Sequence, residues 1–441
     1  MKKLGITLII SFFICICGVA CKNAPVEKPL NVIILLVDDM GYGDIAAHGN
    51  PIIKTPSFDS MHDQSVRFTN FAVSPTCSPT RAALLTGKHE FLSSVTHTFK
   101  HRRNMNLESV TIADLFKKAD YKTGLFGKWH LGQSGEYGPW HRGFDETLTV
   151  PDDTQHSHFD PVLLKNQVEK QYTGYPYEKY RNESKQGDMF YPEFYGQIVN
   201  IDENLGKLVA HLESLELDDN TLLIVLNDNG GTLGVDTFND GRRGTKTTIW
   251  SGGTRAYSFW KWGDHFDAGE RNQMCGHIDI LPTLADLCNL KIPNSVQEQL
   301  EGNSLRPVLE CASASLGDDR MQVHHVGRWD VPESWAKHKY ANSCVRWGNY
   351  TLVRIEPCED KKCKTCSRAR IRGLQKTNLA YTNNSENWIL TPPGMWELYD
   401  IEADPFQTNN IAAENPDIVK KMSNFYEQWW KKVEVAMKAR R

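Results

Sequence analysis

Apolar and polar positions fall along the chain in two kinds of block. Asn31–Val37 and Thr221–Leu226 are nearly continuous apolar runs closed by acidic or amide residues. Such runs predict strands buried on both faces of a largely parallel sheet. Thr123–Phe126 is a shorter strand of the same kind. Other segments repeat apolar residues at helical spacing. Gly196–Leu215 puts Ile198, Ile201, Leu205, Leu208, Val209 and Leu212 on one stripe. Thr111, with Asp114 three residues on, caps a helix reaching about Ala119, and His277–Leu287 is a further helix with Pro282 near its start. Strands alternating with helices predict an α/β domain. After about residue 320 the pattern changes. Short strands at Tyr350–Ile355 and Met395–Tyr399 precede one terminal helix, Pro416–Val433. The expected organisation is a leader over 1–20, an α/β domain over 21–320, and a smaller antiparallel α+β subdomain over 321–441.

The leader reading rests on Lys2 and Lys3, the apolar stretch Ile6–Ile16, and Gly18-Val19-Ala20 before Cys21. The stretch is too short to span a bilayer, and small residues before a cysteine resemble a bacterial lipoprotein signal. An exported protein of the periplasm or cell envelope follows, lipidated at Cys21 and touching the membrane only through that anchor. The chain has 441 residues, 24% of them charged and 10% aromatic, which excludes wholesale disorder. A formal net charge of −4 argues against nucleic-acid binding and leaves room for a locally positive site. Among eleven cysteines, Cys358, Cys363 and Cys366 follow C-x4-C-x2-C spacing in a basic stretch. Without a nearby histidine this is an incomplete zinc set, and a loop-stapling disulfide is expected.

Candidate chemistry gathers at strand ends. Asp38-Asp39 closes the first strand and Asp228-Asn229 follows the second. Each cluster alone is also ordinary turn chemistry. Together, beyond the carboxyl ends of two buried strands, they offer four oxygens suited to Ca²⁺, and less so to Mg²⁺. Cys77 lies in Cys77-Ser78-Pro79-Thr80-Arg81-Ala82-Ala83-Leu84-Leu85-Thr86-Gly87. Ser78 suits a helix cap, Pro79 the first helical position and Gly87 the position past the end. Cys77 is then either a nucleophile beside a helix start, with Arg81 one turn on, or a buried structural cysteine. Lys128 and His130 share a face after the third strand, and Lys246 precedes a glycine-rich loop.

The Cys77–Gly87 segment resembles the signature of the formylglycine-dependent sulfatases, type I sulfatases of the alkaline-phosphatase-like superfamily. Asp38-Asp39-Met40-Gly41-Tyr42-Gly43-Asp44, Gly127-Lys128-Trp129-His130-Leu131-Gly132, Asn227-Asp228-Asn229-Gly230 and Trp396-Glu397-Leu398-Tyr399-Asp400 are similar to further motifs of that family, in the same order. Val95-Thr96-His97-Thr98 and His325-Val326-Gly327-Arg328-Trp329 resemble a bacterial carbohydrate-sulfatase branch. The resemblance implies a large mixed, mostly parallel sheet flanked by helices. It implies that a maturation enzyme oxidises Cys77 to formylglycine, whose hydrate is the nucleophile. Asp38, Asp39, Asp228 and Asn229 would hold Ca²⁺, which also contacts the residue at position 77. Arg81 would orient the nucleophile, Lys128 and Lys246 would neutralise sulfate oxygens, and His130 would assist sulfate release. His97, His325, Arg328 and Trp329 are the expected contacts to a sulfated oligo- or polysaccharide.

Two departures stand out. Ser251 replaces the glutamate usual in the family's E-G-G-x-R segment. At the Tyr175–Pro176 junction, roughly 40–50 residues that the family carries, about a helix, a strand and a histidine-bearing loop, are missing. Three readings follow: a carbohydrate sulfatase, a phosphate or phosphonate monoester hydrolase on a related site, or an impaired sulfoglycan-binding relic.

Overall fold

The computed structural model describes residues 28–98, 100–151, 161–173, 192–317, 319–329, 332–356, 358, 363 and 394–439. Cys21, His156, His158, Cys366 and the Tyr175–Pro176 junction lie outside them. In chain order the elements used below are β1 (Asn31–Val37), α1 (Pro56–Asp63), β2 (Val66–Phe68), β3 (Phe71–Ala72), α2 (Cys77–Thr86), α3 (Ile112–Lys118), β4 (Gly124–Gly127), β5 (Glu146–Thr149), β6 (Val162–Lys165) and β7 (Val168–Gln171). There follow α4 (Pro192–Ser214), β8 (Thr221–Asn227), α5 (Ser251–Thr254), β9 (Ser258–Lys261), β10 (Gly269–Arg271), β11 (Cys275–Gly276) and α6 (Ile280–Leu287). The chain closes with β12 (Met321–His325), β13 (Ser343–Trp347), β14 (Tyr350–Arg354), β15 (Glu397–Asp400) and α7 (Pro416–Ala439).

The main sheet has the order β1-β8-β9-β2-β10. Four strands run one way, and β9 runs against both its neighbours. A continuous apolar run is needed in β8, which is buried along its whole length, whereas β1 at the end of the sheet is only partly buried. Leu222, Ile224 and Leu226 enter a core with residues of α2, α3 and α6. Leu223 and Val225 enter a second core with residues of α1 and α4. Burial of one such aliphatic side chain contributes about 1.5–3 kcal/mol. β1 and β8 pair in parallel from Asn31↔Thr221 to Val37↔Asn227. That register sets their acidic ends side by side, and the Asp228 N–H donates to the Val37 carbonyl at 3.1 Å.

β4 belongs to a separate sheet, β4-β5-β6-β7. Among the described residues, β1 and β4 each end their sheet. A cavity of about 470 Å³ is lined by Val32 and Leu36 of β1 and by Leu125 and Phe126 of β4. Phe126 is 71% exposed there. Two open strand edges on one apolar cavity are what a missing neighbour strand would leave.

β12-β13-β14-β15 form an antiparallel sheet. Met422, Tyr426, Trp429, Trp430 and Val433 of α7 pack with Val345, Leu352 and Leu398 of this sheet. Arg320, just before β12, forms a two-pronged ion pair with the buried Asp279 carboxylate.

Three helix boundaries differ from the sequence expectation. α4 begins at Pro192 rather than Gly196, since proline is tolerated in the first turn. α7 continues past Val433 to Ala439, because Lys, Ala and Met sustain a helix beyond its last aromatic contact. α2 starts at Cys77, with Thr76 rather than Ser78 at the cap.

Candidate active site

Cys77 is the first residue of α2 and is 2% exposed. The helix ends where predicted: Gly87 takes a left-handed φ of 68°, and its N–H donates to the Ala83 carbonyl at 2.9 Å. Around the Cys77 sulfur stand Asp39 Oδ1 at 3.5 Å, Asn229 Nδ2 at 3.5 Å and Lys246 Nζ at 3.2 Å. Arg81, one turn along α2, donates through Nη2 to Asp38 Oδ1 at 3.2 Å and to Asp228 Oδ2 at 3.0 Å. Its Nη1 donates to the Lys128 carbonyl at 2.6 Å. Lys128 Nζ reaches both Asp38 oxygens, at 2.9 and 2.8 Å. Lys246 Nζ pairs with Asp39. Residues from the ends of β1, β4 and β8, the start of α2 and the 240s loop thus meet at one point.

Local backbone makes this possible. Gly230 packs so tightly on α5 that a Cβ there would lie 2.0 Å from the Gly252 carbonyl oxygen. Asp39, His130 and Thr247 hold positive φ angles of 61°, 62° and 73°. Left-handed backbone outside glycine costs about 1–2 kcal/mol per residue and is tolerated where the surroundings over-determine it. Lys246 N–H to Gly231 carbonyl at 2.9 Å and Thr247 N–H to Pro75 carbonyl at 2.8 Å supply that support.

Electrostatics follow from burial. Burial pushes the Asp38 carboxyl up, but Arg81 and Lys128 outweigh it and hold Asp38 well below the ordinary carboxylate range. Asp228 goes the other way: burial, with Asp38 beside it, raises it to about 8 despite Arg81. Burial, with Asp228 and Asp38 adding, pushes the Cys77 thiol up, so as a cysteine it is no ready thiolate. His130 is pulled down to about 3 by burial, with Lys128 and Arg81 adding, so its imidazole is neutral at ordinary pH.

Asp38, Asp39, Cys77 and Asp228 bring one ligand atom each within 4.8 Å of one another. Asn229 Oδ1 is buried at the same place without a hydrogen-bond partner. Three carboxylates and an orphaned amide oxygen form an oxygen-rich set that fits Ca²⁺. Lys128, Lys246 and Arg81 crowd the same carboxylates, ready to turn toward an anion.

The expected sugar contacts divide. Arg328 is half-exposed, and its Nη2 donates to Thr98 Oγ1 at 3.3 Å. His97 is buried, with Nδ1 accepting from the Thr98 N–H at 2.7 Å. His325 and Trp329 are corrected: each is 1% exposed. Trp329 packs in the core under α7, and His325 faces Phe91 and Trp430. The resemblance suggests sugar contacts, but the end of β12 and the segment after it turn both side chains inward. Ser251 opens α5, with its N–H on Gln407 Oε1 at 2.8 Å and its hydroxyl on the Pro405 carbonyl at 3.3 Å. Thr232 escaped sequence reasoning. Its hydroxyl donates to the Asp39 carbonyl at 3.1 Å across 193 residues, a pairing no local pattern signals.

Comparison with known proteins adds four findings. The family model described as Sulfatase matches residues 30–154 and 153–290, so the match is broken once. Human N-acetylgalactosamine-6-sulfatase is 28% identical over 420 residues, spanning 78% of this chain and 79% of its own. The crystal structure of Ps i-CgsB in complex with k-i-k-neocarrahexaose superposes with a TM-score of 0.72 at 21% identity, over 91% of this chain and 93% of its own. BT4656 in complex with its substrate D-glucosamine-2-N,6-O-disulfate gives 0.67 at 16% identity, over 92% and 98%.

Proposed function

This chain belongs to the sulfatase family, the type I sulfatases of the alkaline-phosphatase-like superfamily, and from that premise we propose that it is an exported hydrolase releasing sulfate from a sulfated carbohydrate. The observation that carries the reading is the meeting of Cys77 with three carboxylates, Asn229 and three cations at the carboxyl ends of paired strands. Saccharides in the two solved relatives named above support the substrate class.

Two groups complete the chemistry. Ca²⁺ would be held by Asp38, Asp39, Asp228 and Asn229 and would supply positive charge to the reacting centre. Formylglycine at position 77, made by a maturation enzyme, supplies a hydroxyl nucleophile in place of the thiol. The chain's other residues do the rest. Arg81 fixes the nucleophile's side of the site through Asp38 and Asp228. Lys128 and Lys246 swing from Asp38 and Asp39 to equatorial sulfate oxygens, where charge neutralisation lowers the barrier to S–O cleavage. Neutral His130 can take a proton as sulfate leaves. No described helix is long and apolar enough to cross a membrane.

The test is sulfate release from a panel of sulfated oligosaccharides. Wild-type protein whose Cys77 peptide carries formylglycine by mass is expected to turn over, and Cys77→Ala to lose at least about 10³-fold in kcat/KM. A higher kcat/KM on a phosphate or phosphonate ester than on the matching sulfate would move the chain to the hydrolases of those esters. One observation favours a second reading, the impaired relic: among the described residues β1 and β4 each lack a neighbour on one edge, and both line the cavity that also touches Asp38, Arg81 and Lys128. Saturable binding of a sulfated glycan without release, from fully converted protein, is the outcome that reading requires.

A further inference from the structure

We propose that His338, Cys358 and Cys363 form a second metal site, a structural Zn²⁺ centre in the C-terminal sheet layer, separate from the acidic site at Cys77. The three residues bring one ligand atom each within 4.8 Å of one another. His338 Nε2 lies 3.2 Å from Cys363 Sγ. Bond lengths of about 2.0–2.1 Å to nitrogen and 2.3 Å to sulfur, at tetrahedral angles, put ligand atoms about 3.5–3.8 Å apart. A metal ion would therefore shift these atoms by about an ångström at most, spreading the His338–Cys363 pair slightly and drawing any wider pair in.

The fold builds this cluster. Leaving β12, the chain returns to β13 through a loop whose last turn ends at His338. The Ala341 N–H donates to the His338 carbonyl at 3.1 Å, closing that turn. His325 holds it from below: its Nδ1 accepts from the Gly327 N–H at 2.9 Å, so its Nε2 carries the proton and donates to the His338 carbonyl at 3.1 Å. On the other side, the chain leaving β14 is pinned by the Glu356 N–H on the Tyr340 carbonyl at 2.8 Å. Cys358 is two residues further on, and Cys358, Cys363 and Ala341 form one small apolar cluster. His338 is 3% exposed and Cys363 is 7% exposed. Ala341 beside the sulfurs and the Trp329 ring stacked on His338 give the cluster an apolar side, which suits a structural site.

This revises the reading of the cysteine-rich stretch. C-x4-C alone lacked a histidine within reach along the chain, so a disulfide was expected. The structure places neither Cys358 nor Cys363 in a disulfide and brings a histidine to them across 20 and 25 residues. Soft thiolates with one imidazole select Zn²⁺ over Ca²⁺, the reverse of the oxygen set at Asp38. The two centres thus take different metals. Zn²⁺ binding displaces the two thiol protons to solvent and leaves the sulfurs unoxidised, so the step needs no oxidant. A fourth ligand would be water or a further side chain. Structurally, the metal would clamp the chain leaving β14 to the turn before β13. That turn stands beside Trp329, whose ring is stacked on His338 at 6.4 Å.

The experiment is elemental analysis of the full-length chain, purified without chelator and desalted. One zinc per chain is expected, retained in Asp38→Asn and lost in Cys358→Ser, Cys363→Ser and His338→Ala. Exchange with Co²⁺ should give thiolate-to-metal charge-transfer absorption that either cysteine variant loses. Thiol mapping of the wild-type protein needs no variant, so misfolding cannot obscure it. Cys358 and Cys363 should both be alkylated once the protein is denatured with chelator. A Cys358–Cys363 disulfide in the wild type, or reduced wild-type protein that takes up no zinc from a Zn²⁺ solution, overturns the proposal.

Discussion

Glu90 shows how a single buried group sets pH behaviour. It lies behind α2, 4.0 Å from His277, and burial raises its carboxyl to about 8. A carboxyl with a raised folded pKa gives stability that is complete below its ordinary value of 4.5 and lost as pH rises to about 8. His277, pulled down to about 3 by burial, has the opposite slope: its contribution is lost as pH falls below about 6.5. The comparison of wild type with Glu90→Gln isolates the glutamate. Their difference in unfolding free energy should change by up to about 1.4 kcal/mol per pH unit between pH 4.5 and 8, in the direction that favours the variant at higher pH. Urea unfolding midpoints across that range check it, and a constant difference would refute it. At the same scale, burial pushes the Cys77 thiol up, so the proposed chemistry calls for a nucleophile other than a thiolate at that position.

Among the elements, the strand ends and their turns determine site geometry. The loop after β8 lies against α5 with no space for a side chain at Gly230. Gly230→Ala should push Asp228 and Asn229 off their positions and cost about 1–3 kcal/mol, the range for overpacking. A lower melting temperature together with weakened Ca²⁺ binding in calorimetric titration is the expected pair of results. Normal Ca²⁺ affinity in that variant would show that the loop moves without disturbing the acidic set. The elements also explain what the sequence pattern could and could not disclose. β1, β8 and the Thr111-capped α3 were legible because apolar runs and a capping box are local signals. The start of α2 was misplaced by two residues because Ser78 and Pro79 mimic a cap, whereas the helix here starts at Cys77.

At the scale of the whole molecule, the Arg320–Asp279 pair joins the segment entering the C-terminal sheet to the start of α6. Asp279 is 0% exposed and also accepts from the Gly276 and Asn303 N–H groups, each at 2.8 Å. Arg320→Met would leave a buried carboxylate short of its cation, at a cost of about 3–5 kcal/mol. Chemical denaturation checks the loss, and a change under about 1 kcal/mol would mean the pair is dispensable. The β1–β4 cavity is the other feature of this scale. It leaves Val32, Ile34 and Leu36 only partly buried on strands whose sequence is written for full burial.

Taken alone, the sequence determined the α/β class, the strand ends that carry Asp38, Asp39, Asp228 and Asn229, and the position of Cys77 at a helix start. Each is encoded within a few residues, by apolar runs, acidic closures and turn formers. Tertiary structure alone decided which of these meet. The parallel register of β1 with β8 sets four candidate ligands together across some 190 residues. The same packing turned His325 and Trp329 into the core and brought His338 to Cys358 and Cys363. Those outcomes depend on contacts between segments far apart in the chain, and no periodicity along the chain records them.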